Sequence, residues 1–405
     1  MSELGVWLHG QQVAVLRAPK IGRVTCKYLA PTLDEYPLNI PMLSCSLPLR
    51  TGRRDAWAFT TGLLPEGQHR QAMAARAGVT VSDLLGMLDR FGRDVAGAVV
   101  ISADDPPTRD ASTQLYTSDT LADAVRELDE HPLGLYDDSE LSVAGLQDKM
   151  LLVAVGDAWA RPVHGYPSTH ILKVDDRVGR GLVRAEHACL TLARMAGLPA
   201  ADSSVVTIGD AECIVVSRFD RRVESDGTVV RIHQEDSCQA LGIDPERNRG
   251  LAKYEDYGGP TLARIASLLD AWGERGTDEL GALLDQVVFT VAIGNADAHG
   301  KNVSLLHPEP GRVTLAPLYD TVPTALWPKL RPTAAMKVNG RGDLSRITLG
   351  DIVAEAQRWN MEPMQANARA VAVAERLRAV LRAGDVDVDT PALDLVSARL
   401  STLLD

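Results

Sequence analysis

The chain has 405 residues, 45% apolar and 24% charged, the proportions of a globular protein with room for two or three cored domains. Lys and Arg total 42 against 54 Asp and Glu, a formal net charge of -12, which excludes a surface built throughout for nucleic acid and leaves only a local basic patch open. No run approaches the ~18 apolar residues of a membrane span, so no membrane partner is expected, and the start, MSELGVWLHGQQ, has an acid at Glu3 and no basic segment, against a secretory signal.

Residues 4–16 alternate, with Val6 and Leu8, a turn at Gly10-Gln11, then Val13 and Val15; this pattern predicts a β-hairpin. Strand-like pieces continue to about Leu49. Over 65–90 the period becomes helical, with Pro65 suited to a first helical turn. Ala98 to Ser102 returns to a short apolar strand, and ADDPPTRDAST then reads as a linker. A second β-rich section holds Met150–Val155, His170–Val174, Val205–Ile208 and Ile214–Ser217, with a helix from Glu186 to Met195 closed by Gly197 and Pro199. Beyond about 230 the helical period dominates, over 261–271, 278–294, 348–359, 363–383 and 391–404. The five cysteines, Cys26, Cys45, Cys189, Cys213 and Cys238, form no CxxC pair, so neither a zinc framework nor disulfides are expected; buried thiols in a reducing cytoplasm are.

The segment GNADAHGKN, 294–302, follows the apolar stretch Val287–Ile293 and crowds Asp297, His299, Lys301 and Asn302 into six positions. Buried structure rarely tolerates that density of polar groups, so this is read as a working loop. Asp297 and Asn302 are spaced like the catalytic-loop Asp and metal-binding Asn of protein kinases. There the Asp accepts the proton of the attacking hydroxyl and the Asn holds Mg²⁺. Asp320, in LAPLYDTV after an apolar strand, sits where a second metal-binding carboxylate belongs. Lys173 lies inside the apolar strand HILKV, and a charge there needs a buried partner or an anionic ligand. Glu186 follows thirteen residues later, suited to an ion pair that aims the lysine at nucleotide phosphates. LSVAGLQDK, 141–149, with Ser142, Val143, Ala144 and Gly145, is the candidate phosphate cradle, although it is not a GxGxxG. His299 and Lys301 are counted with these nucleotide-binding residues. Taken singly each has a plainer reading: a polar helix end, a turn Asp, an edge lysine, a dipole-favoured Glu, an ordinary turn.

Together SVAGLQDK, THILKVD, SRFDRR, HQEDSCQALG, KYEDYGGP, GNADAHGKN and LAPLYDT resemble the HipA-type serine/threonine kinase toxins of bacterial toxin–antitoxin systems. GLLPEG and FGRDVAGAVVI resemble the small domain that precedes the kinase there. The resemblance implies an α+β, two-lobed protein-kinase-like fold. The boundaries expected are an N-terminal domain over 1–105, a linker over 106–135, a β-rich N-lobe over 136–230 and a helical C-lobe over 231–405. It implies Asp297 as catalytic base, Asn302 and Asp320 as Mg²⁺ ligands, and Lys173 on the ATP phosphates. Ser217 to Phe219 fall at the adenine hinge, where relatives often carry Glu in place of Ser217, which puts hinge side-chain contacts in question. Ser142 matches a serine that the family autophosphorylates, a modification whose charge would repel ATP. Asp236, in QEDSCQ, is expected to brace the catalytic loop; alone it would read as a helix N-cap. The resemblance also implies a HipB-type helix-turn-helix antitoxin that makes most of the DNA contacts, and an aminoacyl-tRNA synthetase as protein substrate. Arg53, Arg54, Arg221 and Arg222 are read as solvated surface charge, with a phosphate backbone as the alternative. Two rivals stay in view: a metal hydrolase using Asp297, His299 and Asp320, and a catalytically silent co-repressor of this fold.

Overall fold

The computed structural model describes residues 3–104, 110–128, 149–175, 181–274, 276–327, 333–384, 386 and 391–404. The first strands, β1 (Glu3–Leu8) and β2 (Gln11–Lys20), form the expected hairpin. Its turn is His9-Gly10 rather than Gly10-Gln11, with φ of 49° and 81°; both signs are what a two-residue turn needs to match strand twist. With β3 (Arg23–Tyr28), β4 (Arg54–Asp55) and β5 (Val99–Ser102) they make a five-stranded antiparallel sheet in the order β4-β3-β2-β1-β5. Helices α1 (Ala30–Glu35), α2 (Trp57–Gly62), α3 (Gly67–Ala77) and α4 (Leu84–Phe91) accompany it. Leu84, Leu85, Met87, Leu88 and Phe91 of α4 are buried in one core with Val6, Leu16 and Val99 of the sheet.

The second unit is a six-stranded sheet, and it corrects the expected linker. Within 106–135, β6 (Ser112–Leu115) pairs with β8 (Ala158–Val163), and α5 (Ser118–Arg126) buries Leu121, Ala124 and Val125 beside the sheet. Polar composition hid this, because β6 is an exposed edge strand and α5 keeps one face in water. The order is β10-β11-β9-β7-β8-β6, with β7 (Lys149–Val155), β9 (His170–Val174), β10 (Ser203–Ile208) and β11 (Ala211–Ser217). Between β9 and β10 runs α6 (Leu182–Met195), and β12 (Arg221–Val223) with β13 (Val229–Arg231) forms a small hairpin.

The third unit opens with β14 (His233–Asp236), α7 (Ser237–Ala240) and α8 (Arg247–Gly250). Then come α9 (Leu262–Trp272), α10 (Thr277–Ile293), β15 (Ser304–His307), β16 (Thr314–Leu315), α11 (Leu349–Gln357), α12 (Pro363–Ala383) and α13 (Pro391–Leu404). Ala366, Ala370, Val373, Ala374 and Leu377 of α12 are buried at helical spacing, against α10, α11 and α13. α6 packs on β10 and β11 and also on α12 and α13, so one helix belongs to both lobes. No helix among the described residues is long and apolar enough to cross a membrane.

A buried ion cluster docks the N-terminal domain. Asp94, 1% exposed, accepts from Arg221 Nη2 at 2.9 Å and Arg231 Nη1 at 3.2 Å, and Arg218 Nη1 stands 3.8 Å away. Asp220 accepts from Arg218 at 2.8 and 2.9 Å and from the Gly97 N–H at 2.7 Å. Burial opposes the Asp94 charge, but the three guanidiniums outweigh it and hold the carboxyl below its usual range. Arg221 is therefore neither solvated nor free for a phosphate backbone, whereas Arg53, Arg54 and Arg222 are exposed as expected. Asp94→Ala would leave three guanidiniums around one carboxylate. A loss of about 3–5 kcal/mol of folding stability is expected in urea denaturation, and a loss under about 1 kcal/mol would show that the cluster carries little of the docking.

Candidate active site

Lys173 and Lys149 lie opposite each other on β9 and β7, so their side chains share one face of the sheet. Two like charges in that position need compensation. Lys173 Nζ donates to both Glu186 oxygens at 2.8 and 3.0 Å and to Asp320 Oδ1 at 2.7 Å. Burial disfavours the Lys173 ammonium, but Asp320 and Glu186 outweigh it and raise its pKa. Lys173 in turn holds the Asp320 carboxyl well below the usual range. Lys149 is pulled down to about 8, by burial first and then by Lys173. The expected Lys173–Glu186 pair is thus present, and Asp320 joins it from the other lobe. The strand before Asp320 is Thr314–Leu315. Asp320 itself has φ 53°, a left-handed turn that a non-glycine residue adopts at a cost.

The segment 294–302 begins where α10 ends. Gly294, at φ 70°, closes the helix, and its N–H and that of Asn295 bond back to Val291 and Thr290. Asp297 N–H donates to Asn295 Oδ1 at 3.0 Å, His299 N–H to the Asp297 carbonyl at 2.8 Å, and Asn302 Nδ2 to that same carbonyl at 3.1 Å. Asp297 and Asn302 are therefore tied into one loop, and Tyr254 Oη donates to Asp297 Oδ1 at 2.8 Å. Gly300 admits no side chain, since a Cβ would lie 2.4 Å from Pro260 and 2.8 Å from Cys238 Sγ.

Of the two remaining residues counted with the nucleotide site, Lys301 turns elsewhere. The Lys301 ammonium is buried on Asp236 Oδ2 at 3.0 Å, with Glu66 Oε1 at 3.8 Å. Its sequence neighbours suggest a phosphate contact, but a buried ammonium goes to the nearest buried carboxylate. His299 is buried against Tyr254 and faces Lys253, and burial lowers its pKa to about 3, so the ring is neutral at neutral pH. Asp236 braces the loop through Lys301, as expected. It also N-caps α7 in a capping box with Gln239, so both of its readings hold.

At the proposed hinge, burial alternates. Ser217 and Phe219 are half-buried, Ser217 Oγ lying 3.2 Å from His170 Nε2 and the Phe219 ring 5.1 Å from that of Tyr319. Arg218 and Asp220 turn the other way, into the Asp94 cluster. Ser142, Val143, Ala144 and Gly145 lie outside the described residues.

Sequence reasoning missed Glu66, Lys149 and Tyr254. Glu66 is 5% exposed and belongs to the N-terminal domain, yet its Oε2 accepts from Lys253 Nζ at 2.6 Å. A signal existed for each: charged or phenolic residues inside the motifs GLLPEG, LQDK and KYED. The same docking face carries Cys45 N–H and His307 Nε2 on Glu235 Oε1, at 2.8 and 2.9 Å, and His233 Nε2 2.9 Å from the Leu43 carbonyl.

His233 and His299 are both lowered to about 3, mainly by burial. Their folded-state values lie below the ordinary 6.5, so between those limits the unfolded chain binds more protons. Stability should therefore fall as pH drops below about 6, by about 1.4 kcal/mol per pH unit for each ring. Urea midpoints taken from pH 7 to 4.5 check this, and a flat profile would contradict it.

The family described as HipA-like C-terminal domain matches residues 141–383, and that described as HipA N-terminal domain matches residues 4–102. A Sinorhizobium fredii protein named "Putative kinase Y4mE" is 35% identical over 417 residues, covering 99% of this chain and 96% of its own. A Shewanella oneidensis protein named "Serine/threonine-protein kinase toxin HipA" is 28% identical over 297 residues, covering 71% and 68%. Among solved structures, a chain of the Shewanella oneidensis MR-1 HipA, HipB and operator DNA complex has the same fold, with a TM-score of 0.82, 24% identity and coverage of 99% of this chain and 96% of that one. Both domain families are present in order, and with them the α+β fold and the loop that joins Asp297 to Asn302: the chain belongs to the HipA family.

Proposed function

We propose that this chain is an ATP- and Mg²⁺-dependent serine/threonine protein kinase, the toxin of a HipBA-type module. The observation that carries this reading is the Lys173 ammonium bridging Glu186 and Asp320 across the two lobes. The names of its relatives support phosphoryl transfer at family level.

Phosphoryl transfer asks mainly for positioning and charge neutralisation. Asn302 and Asp320 offer hard oxygen donors of the kind Mg²⁺ prefers. The Asp320 side chain is 44% exposed and held ionised by Lys173, and the Asn302 amide nitrogen is spent on Asp297, leaving Oδ1 as its ligand atom. Bound there, Mg²⁺ would neutralise charge on the phosphate oxygens. Lys173 and Lys149 would meet the phosphates. Asp297, oriented by Tyr254, would take the proton of an attacking Ser or Thr hydroxyl. The hinge at Ser217–Phe219 would carry adenine. Ser142 is the proposed self-target; a phosphate there adds about -1.5 to -2 charge and would repel ATP. The relative solved with HipB and operator DNA supports a HipB-type antitoxin as partner. The net charge of -12 supports DNA contact mainly through that partner. An aminoacyl-tRNA synthetase is the proposed substrate. The co-repressor reading uses the Lys173–Glu186–Asp320 bridge only to hold the lobes, and leaves the exposed Asp320 carboxylate and the Asp297–Asn302 loop without a task.

Intact mass after incubation with Mg²⁺-ATP tests this. Wild type should gain one phosphate, about 80 Da, and Asp297→Ala and Ser142→Ala should gain none. Phosphate on Asp297→Ala would remove Asp297 as base. A wild type that neither gains mass nor binds ATP would favour the silent co-repressor.

A further inference from the structure

We propose that Glu66, a residue of the N-terminal domain, is a positioning residue for the catalytic loop, and that phosphoryl transfer therefore needs that domain docked. The inference rests on the kinase function proposed for the Lys173 site.

Glu66 stands at the N-cap of α3 but makes no capping bond. Its carboxylate instead leaves the domain and meets two lysines, Lys253 Nζ at 2.6 Å and Lys301 Nζ at 3.8 Å. Both lysines are buried, at 6% and 7% exposure. Burial opposes the Glu66 charge, but Lys301 and Lys253 outweigh it and lower the carboxyl's pKa. Each lysine adjoins a residue of the site. Lys253 precedes Tyr254, whose hydroxyl bonds Asp297, and the Lys253 carbonyl accepts the Gly300 N–H at 3.1 Å. Lys301 precedes Asn302. One carboxylate thus grips both the base and the metal-ligand ends of the loop.

The local structure fixes where Glu66 points. Arg70, 5% exposed, donates to the Pro65 carbonyl at 2.8 Å and the Thr61 carbonyl at 2.9 Å, which holds the turn before Glu66. A Cβ at Gly62 would lie 2.3 Å from Gln239 Cγ, so only glycine lets this turn approach α7, and the Gly62 carbonyl lies 3.4 Å from Lys301 Nζ. Charges balance: Glu66 and Asp236 against Lys253 and Lys301, with His299 neutral. Without the Glu66 charge, two buried ammoniums would share one carboxylate and repel. Tyr254 and Asn302 would separate, and with them Asp297 and the proposed metal ligand. A misplacement of about 1 Å costs a reaction of this kind roughly 100-fold.

The test uses the full chain as Glu66→Gln, which keeps shape and removes the charge. The expected result is at least a roughly tenfold fall in kcat, since Asp297 and Asn302 move apart while Lys173 and the hinge stay in place. Hydrogen exchange should quicken over residues 295–303 while β1–β5 and α12 stay protected. The double variant Glu66→Gln with Lys253→Met restores the charge balance, and slow exchange over 295–303 should return. Wild-type kcat and exchange in Glu66→Gln would overturn the proposal. So would fast exchange spread evenly over the whole chain, or a double variant as open as the single one. If wild type transfers no phosphate at all, the kinase reading fails, and the exchange measurement still decides the role of Glu66 in the loop.

Discussion

Lys173 is buried, and a buried ammonium persists only where carboxylates meet it. Its two come from different places: Glu186 on α6, and Asp320 after the last strand of the C-lobe. That bridge sets the relation between the lobes. It also accounts for α6, a helix packed on the six-stranded sheet and on α12 and α13 together. If the lobes separated, Lys173 would lose Asp320, and the Asp320 carboxyl would return toward its ordinary pKa.

The N-terminal domain is bound in by the same logic elsewhere. Asp94 and Asp220 collect Arg218, Arg221 and Arg231 beneath the segment 217–219. Glu66 collects Lys253 and Lys301 beneath the loop 294–302. Both clusters draw charges from motifs whose neighbouring residues form the site. SRFDRR sends Ser217 and Phe219 one way and Arg218 and Asp220 the other, and KYED sends Tyr254 to Asp297 while Lys253 meets Glu66. Motif residues that look catalytic on a line of text divide in space between site and scaffold. A buried salt bridge is weak as a source of net stability but strict about who its partners are, so these clusters specify docking geometry.

Where sequence and structure part, one cause recurs. Judged by its neighbours in sequence, Lys301 belongs with the nucleotide and Arg221 with the surface. Their partners, Asp236 and Asp94, lie 65 and 127 residues away. The stretch from Ser112 to Arg126 has the composition of a linker because β6 is an exposed edge and one face of α5 is wet. Asp236 shows both sides: its capping box with Gln239 is local and legible, the resemblance implies only that it braces the loop, and its partner Lys301 is seen only in the fold.

What the sequence determined by itself is whatever repeats at short range. The spans of α9 to α13 agree with the hydrophobic period within one or two residues, because helical burial recurs every three or four positions and caps mark the ends. The loop 294–302 is legible as a loop because Gly294 and a dense polar run end an apolar helix, whereas the burial of His299 and Lys301 within it is not legible. Only the tertiary structure decided which carboxylate each buried cation meets, that β6 and α5 join the sheet, and that Glu66 reaches the loop from another domain. Pairing of charges has no period along the chain. It is settled by which ends of which elements are brought into the same dry space, and folding of the whole chain alone determines that.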